Sequence, residues 1–125
     1  MMLEESIYTA LTASSYVTVT GGASTRIYPM TLPQNPSYNA ITYTRVSGGP
    51  DYTLSGASGK EQASIQVDCW SMTYSGSKNL ANMVRKVMEE STTYDATMVG
   101  ESDIFEPEGR IYRVSQDYSC WGYTT

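Results

Sequence analysis

The stretch ASIQVDCWSMTYSGSKNLANMVRKVMEES, residues 63–91, changes its apolar period midway, and that change decides the fold class. Up to residue 70 the period is two: Ala63, Ile65, Val67 and Cys69 point one way, and Ser64, Gln66, Asp68 and Trp70 the other. After MTYSGS the period becomes helical, with Leu80, Met83, Val84, Val87 and Met88 on one stripe and Asn79, Asn82, Arg85 and Lys86 on the wetter side. A half-buried strand therefore feeds a packing helix, which should start around Ser75 to Ser77 and end near Glu90. Gly76 weakens its first turn, and the Glu89-Glu90 pair meets the unfavourable end of the dipole, so packing against a sheet must hold it. Neither half carries a nucleophile, a general base or a metal-ligand set. The region is built for contact, not chemistry.

Towards the N-terminus, Leu3, Ile7, Ala10 and Leu11 predict a helix over residues 3–14, with Glu4 and Glu5 in its first turn. The β-branched alternation of residues 16–20 predicts a short strand closed by Gly21-Gly22, and Arg26-Ile27-Tyr28 a second short extended piece. Pro29, Pro33 and Pro36 then keep the chain out of regular ladders until about Asn39. AITYTRVS, residues 40–47, is strongly β-prone; Gly48-Gly49-Pro50 should end it, leaving residues 51–59 as a second excursion.

Beyond the second helix, residues 94–99 and 103–106 read as two weaker strands split by a polar turn at Gly100, and residues 107–110 as a tight connection. The last and clearest strand covers residues 111–121. Tyr112, Val114, Tyr118 and Cys120 form one of its faces, and Ile111, Arg113, Asp117 and Trp121 the other. This order predicts an α+β fold, a mostly antiparallel sheet with two helices packed on one face. At 125 residues the chain should form one domain over 1–125.

Thirteen acidic and eight basic side chains give a formal charge of −5, and only Arg85 and Lys86 are adjacent cations, so tight binding of a phosphate backbone is not expected. With no histidine, the commonest general base and zinc ligand is missing. Asp103, Glu106 and Glu108 read as a solvated acidic face, with a weak cation site as the alternative. GASGK, residues 56–60, lacks the full phosphate-loop pattern and is followed by Glu61, so it reads as a flexible hairpin loop. No enzyme, metal or cofactor is expected.

Cys69 and Cys120, each followed by a tryptophan, read as buried free thiols, with a cross-strand disulfide as the alternative. Glu4 and Glu5 stand where a signal peptide would be basic, and no apolar run is long enough for a membrane span. The expectation is a soluble protein made in a cytoplasm.

Parity places Trp70 and Trp121 on the sheet face opposite the helices, where the Pro-rich loop or another subunit would cover them. Residues 21–39 and 48–59 are long enough as structureless connections to be contact segments. The candidate interface residues are Arg26, Tyr28, Tyr38, Trp70, Arg113, Asp117 and Trp121.

RIYP at residues 26–29 with LP at 32–33, ITYTRVS at 41–47, IQVDCWSMTY at 65–74, LANMV at 80–84, EPEGRIYRVSQDY at 106–118 and CW at 120–121 follow one another over nearly the whole chain. In this series the chain resembles the small tail completion and tail terminator proteins of long-tailed bacteriophages. Members often open the first long strand with Pro-Tyr, where this chain has Asn39-Ala40. The resemblance implies a sheet with helices packed against it and no catalytic residues. It further implies a ring subunit, typically hexameric, at the head-proximal end of the tail in the virion. Such a ring stops tail-tube polymerisation and docks the head connector or neck protein. A neck adaptor or head-closure role, binding the connector without the tube, is the neighbouring reading, and an unrelated binding module the remaining one. Six copies at −5 each would carry −30, which lets DNA pass without specific binding.

Overall fold

In a computed structural model, described over residues 3–14, 17–18, 22–23, 26–34, 38–53, 56–91 and 94–123, the period-two segment is the central strand of a five-stranded sheet. The elements in chain order are α1 (Leu3–Ala13), β1 (Ile27–Pro29), β2 (Ala40–Thr53), β3 (Gly56–Ser71), α2 (Tyr74–Glu90), β4 (Asp95–Glu106) and β5 (Ile111–Tyr123). The strands lie in the order β1-β2-β3-β5-β4, with β1 parallel to β2 and all other pairs antiparallel.

Both helices cover one face, as the α+β reading expects. Ile7 and Leu11 of α1 and Leu80, Val84 and Met88 of α2 share a single core with Ile41, Ile65, Val67, Cys69, Val114, Tyr118 and Cys120 of the sheet. The expected alternation of β3 holds: Ala63, Ile65, Val67 and Cys69 are all buried on the helix side. Arg45 of β2 pairs with Glu4 at 2.6 Å, tying α1 to the sheet. A buried polar chain sets α2 on β5: the Tyr118 hydroxyl donates to Gln116 Oε1 at 2.8 Å, and Gln116 Nε2 donates to the Ala81 carbonyl at 2.9 Å. Such a network is satisfied in only one register, so it fixes how the helix lies.

The entry to α2 is tighter than its sequence implies. Thr73 caps the helix by accepting the Gly76 N–H at 3.0 Å. A Cβ at position 76 would collide with Ser71 Oγ and Thr73 Oγ1, so the glycine is there for room.

Four expectations are corrected. Gly48-Gly49-Pro50 does not end β2: the ladder continues to Thr53 opposite Gly56, and residues 51–53 and 56–59 belong to the two strands of a hairpin arm in place of a loop, residues 54 and 55 lying outside the described residues. Two features permit this. The register shifts between Arg45 and Ser47 and again between Pro50 and Tyr52, and β1 pairs with β2 only over residues 41–43, so among the described residues Pro50 has no outer ladder to break. Residues 56–60 accordingly pair in β3 and make neither a flexible nor a phosphate-binding loop.

The two weak strands around Gly100 are the single strand β4, with a bulge between Met98 and Gly100. The strand expected at 16–20 is not formed where it is described. The Thr18 N–H donates to the Ser14 carbonyl at 3.0 Å and Thr18 Oγ1 to the same atom at 2.9 Å, continuing a helical turn that buries Val17 in the core. Residues 16, 19 and 20 lie outside the described residues.

Candidate functional site

The sheet face turned away from the helices is built by alternate residues: Thr42 and Thr44 of β2, Gln66, Asp68 and Trp70 of β3, Arg113, Ser115, Asp117 and Trp121 of β5, and Asp95, Ile104 and Glu106 of β4. Both tryptophans are on it, as parity predicts. They are not together. Trp70 pairs with Arg113 and Trp121 with Gln62, and eight residues of β5 separate those rows. That spacing sets the two indoles roughly 27 Å apart, at opposite ends of the strands.

At the Trp70 end, Arg113 is the electrostatic centre. Its guanidinium lies 5.0 Å from the centroid of the Trp70 ring, with Nη2 at 2.9 Å from Glu106 Oε1 and Nη1 at 3.7 Å from Asp68 Oδ2. Asp68 is also held by Gln66 Nε2, which donates to its two oxygens at 3.2 and 3.1 Å. The Trp70 Nε1–H donates to Thr42 Oγ1 at 3.1 Å, fixing the indole over β2. The Pro-rich segment borders this cluster: Met30, Thr31 and Leu32 face Asp68, Trp70 and Arg113 across a cleft of about 510 Å³. The chain's own loop thus half-covers Trp70, anchored by the Met30 N–H donating to the Tyr43 carbonyl at 2.9 Å.

Trp121, by contrast, is 42% exposed and stands beside Asp95 near the root of the hairpin arm. Tyr28 pairs with Thr42 and so belongs to the Trp70 end, while Asp117 is exposed midway along β5. Arg26 has a different role. Its Nε donates to the Asn39 carbonyl at 2.8 Å and Nη2 to the Gly22 carbonyl at 2.7 Å, closing the base of the Pro-rich segment. Tyr38 is half-buried just before β2.

Of the three acidic residues that invited a cation, Asp103 and Glu106 are engaged by side chains and Glu108 is exposed in the turn before β5. Asp103 accepts from the Tyr74 hydroxyl at 2.7 Å and from Lys78 Nζ at 3.2 Å, and these two bonds hold its carboxyl below the ordinary range. Glu106 holds Arg113. Among the described residues no three His, Cys, Asp or Glu side chains gather as a metal-binding group. Cys69 and Cys120 are free and buried; burial pushes the Cys120 thiol up to about 12 and the Cys69 thiol higher still. What the surface offers is shape, charge and aromatic contact area.

Two features were not singled out from the sequence. Val46 and Val99 project into solvent from β2 and β4, each at a register shift. Their signal was an apolar residue out of step with the alternation, in Arg45-Val46-Ser47 and Met98-Val99-Gly100.

The helices thus leave one aromatic, charged face of the sheet open for contact. Residues 5–123 match the family described as "Tail completion protein gp17", and the chain belongs to that family. It is accordingly a structural, tail-associated protein. Among solved structures, a chain of the "Virion of native gene transfer agent (GTA) particle" shares the fold. The TM-score is 0.76 over 95% of this chain and 92% of that chain, at 12% identity. No curated protein sequence matches the chain.

Proposed function

We propose that residues 1–125 act as one tail terminator-like domain, six copies of which close into a ring at the head-proximal end of the tail. One end of the ring stops tail-tube polymerisation, and the other docks the head connector or a neck protein. A ring of head-to-tail contacts closes on itself and leaves two unlike ends, which is the geometry that joining two different partners requires.

The observation that carries this reading is the separation of Trp70 and Trp121 to opposite ends of one face. The Trp70 end presents Arg113, Tyr28 and the Pro-rich segment; the Trp121 end presents the hairpin arm. Each is an aromatic anchor with a polar rim, the composition that interfaces concentrate. With the helices on the outside, the open face lines the channel, where among the described side chains Asp68, Asp95, Glu106 and Asp117 outnumber Arg113 along that wall. Such a wall disfavours retention of passing DNA.

Trp70→Ala and Trp121→Ala test the assignment, each assayed for capping of isolated tail tubes and for binding of the head connector. One variant should lose capping alone and the other docking alone. Loss of docking with tubes never bound by any form of the protein would instead make the chain a neck adaptor.

A further inference from the structure

Val46 is 61% exposed and Val99 72%, and each is the extra residue of a bulge. β2 slips against β3 between Arg45 and Ser47, and β4 slips against β5 between Met98 and Gly100. The registers set both bulges on one row of the sheet: Arg45 faces Ile65, Ile65 faces Tyr118, and Tyr118 faces Met98. Each end of that row is a strand edge. β4 is outermost on its side, and on the other side β1 pairs with β2 only over residues 41–43. Among the described residues neither edge has a strand partner at this height.

We propose that these edges are where adjacent copies of the chain meet, the β4 edge around Val99 of one subunit against the β2 edge around Val46 of the next. The inference rests on the ring reading above and names its contact. Strand direction allows it: β4 runs antiparallel to β2, so a neighbour in the same orientation continues the alternation that runs from β2 to β4. Height requires it to close. A heterologous contact between patches at different heights along the strands winds into a filament, whereas patches on the same row give no rise from copy to copy, so the assembly is a ring once the rotation per copy divides a full turn.

The bulges set the kind of contact. A bulge interrupts the run of unpaired backbone groups that makes a flat edge a template for open-ended pairing, and it aims one side chain outward. The contact is therefore centred on a valine from each copy, flanked by short stretches of edge. A second copy is the occupant because the two patches are complementary in strand direction and equal in height, which no unrelated partner needs to match.

Val46→Asp and Val99→Asp test this at exposed positions where folding should persist, checked by thermal melting. Native mass is measured for wild type and variants, with and without isolated tail tubes. Each variant alone should lose the ring. Their mixture should give a one-to-one dimer, because the first keeps the Val99 edge and the second the Val46 edge. In parallel, the double variant Val46→Cys/Val99→Cys treated with a short bismaleimide should give a ladder ending in a closed covalent ring, while either single cysteine variant gives no ladder. Cys69 and Cys120 are buried and do not interfere. Rings persisting in both aspartate variants, or a wild-type ring with no ladder from the double cysteine variant, would overturn the edge contact and leave the ring reading standing. A wild type that forms no ring under either condition overturns both.

Discussion

The guanidinium of Arg113 lies over the Trp70 ring, 5.0 Å from its centroid, while its nitrogens hold Asp68 and Glu106. One side chain therefore both orients the aromatic anchor and neutralises a carboxylate that is almost out of solvent. Arg113→Ala should destabilise the protein by about 2 kcal/mol, less than a fully buried pair because the arginine keeps some exposure. The corresponding fall in midpoint temperature is roughly 8 °C. Arg113→Lys keeps the charge and loses the planar stack, so it should fall about halfway between. Equal melting of the lysine and wild-type proteins would show that the stack contributes nothing.

Tyr118→Phe removes the donor to Gln116 Oε1 and leaves a buried amide oxygen unpaired. We expect a loss of about 1 to 2 kcal/mol in chemical denaturation. The double variant Tyr118→Phe/Gln116→Leu should lose less than the sum of the two single variants, since it removes the hydroxyl and the amide oxygen together while the Ala81 carbonyl still loses its donor. Additive losses would mean the two groups are not coupled.

Gly76→Ala should lower stability where Gly100→Ala does not. Alanine is the better helix former by about 1 kcal/mol, yet at position 76 its methyl would displace Ser71 Oγ and the Thr73 cap, so a net loss of about 1 kcal/mol is expected. A Cβ at Gly100 meets nothing within 4 Å, and that change should be neutral or gain up to about 0.5 kcal/mol. Denaturation midpoints of the two variants check the signs.

Burial raises the Cys120 thiol from 9.0 to about 12 and the Tyr94 hydroxyl from 10.0 to about 12, and raises Cys69 and Tyr118 further. Above the unfolded values the unfolded chain binds fewer protons than the native one, so stability is full below about pH 9 and falls as pH rises from there. Denaturation midpoints from pH 7 to 11 should decline in that window. Cys69→Ala/Cys120→Ala should flatten the part of the decline that precedes tyrosine ionisation. Native protein at pH 8 should resist thiol labelling that unfolded protein accepts.

Much of the fold could be read from residues 63–91 because both halves carry a clean period, and parity alone placed Trp70 and Trp121 on the face opposite the helices. The failures share a cause. Gly48-Gly49-Pro50 reads as a breaker, but a bulge and a free outer edge let the strand pass through it. A glycine inside β4 reads as a turn when it adjoins a bulge. The β-branched run at 16–20 was overridden at Val17 and Thr18 by burial and by the hydrogen bonds of Thr18 to Ser14. The ends at which the tryptophans stand, and the row that Val46 shares with Val99, depend on pairing registers that no single segment encodes.

The most direct test of the account is the length of tail tubes polymerised with and without the purified protein, measured by electron microscopy alongside the native mass of the protein on and off the tubes. The account predicts a ring of six copies at one end of each tube and no growth from the capped end. A monomer that neither binds tubes nor limits their length would contradict it.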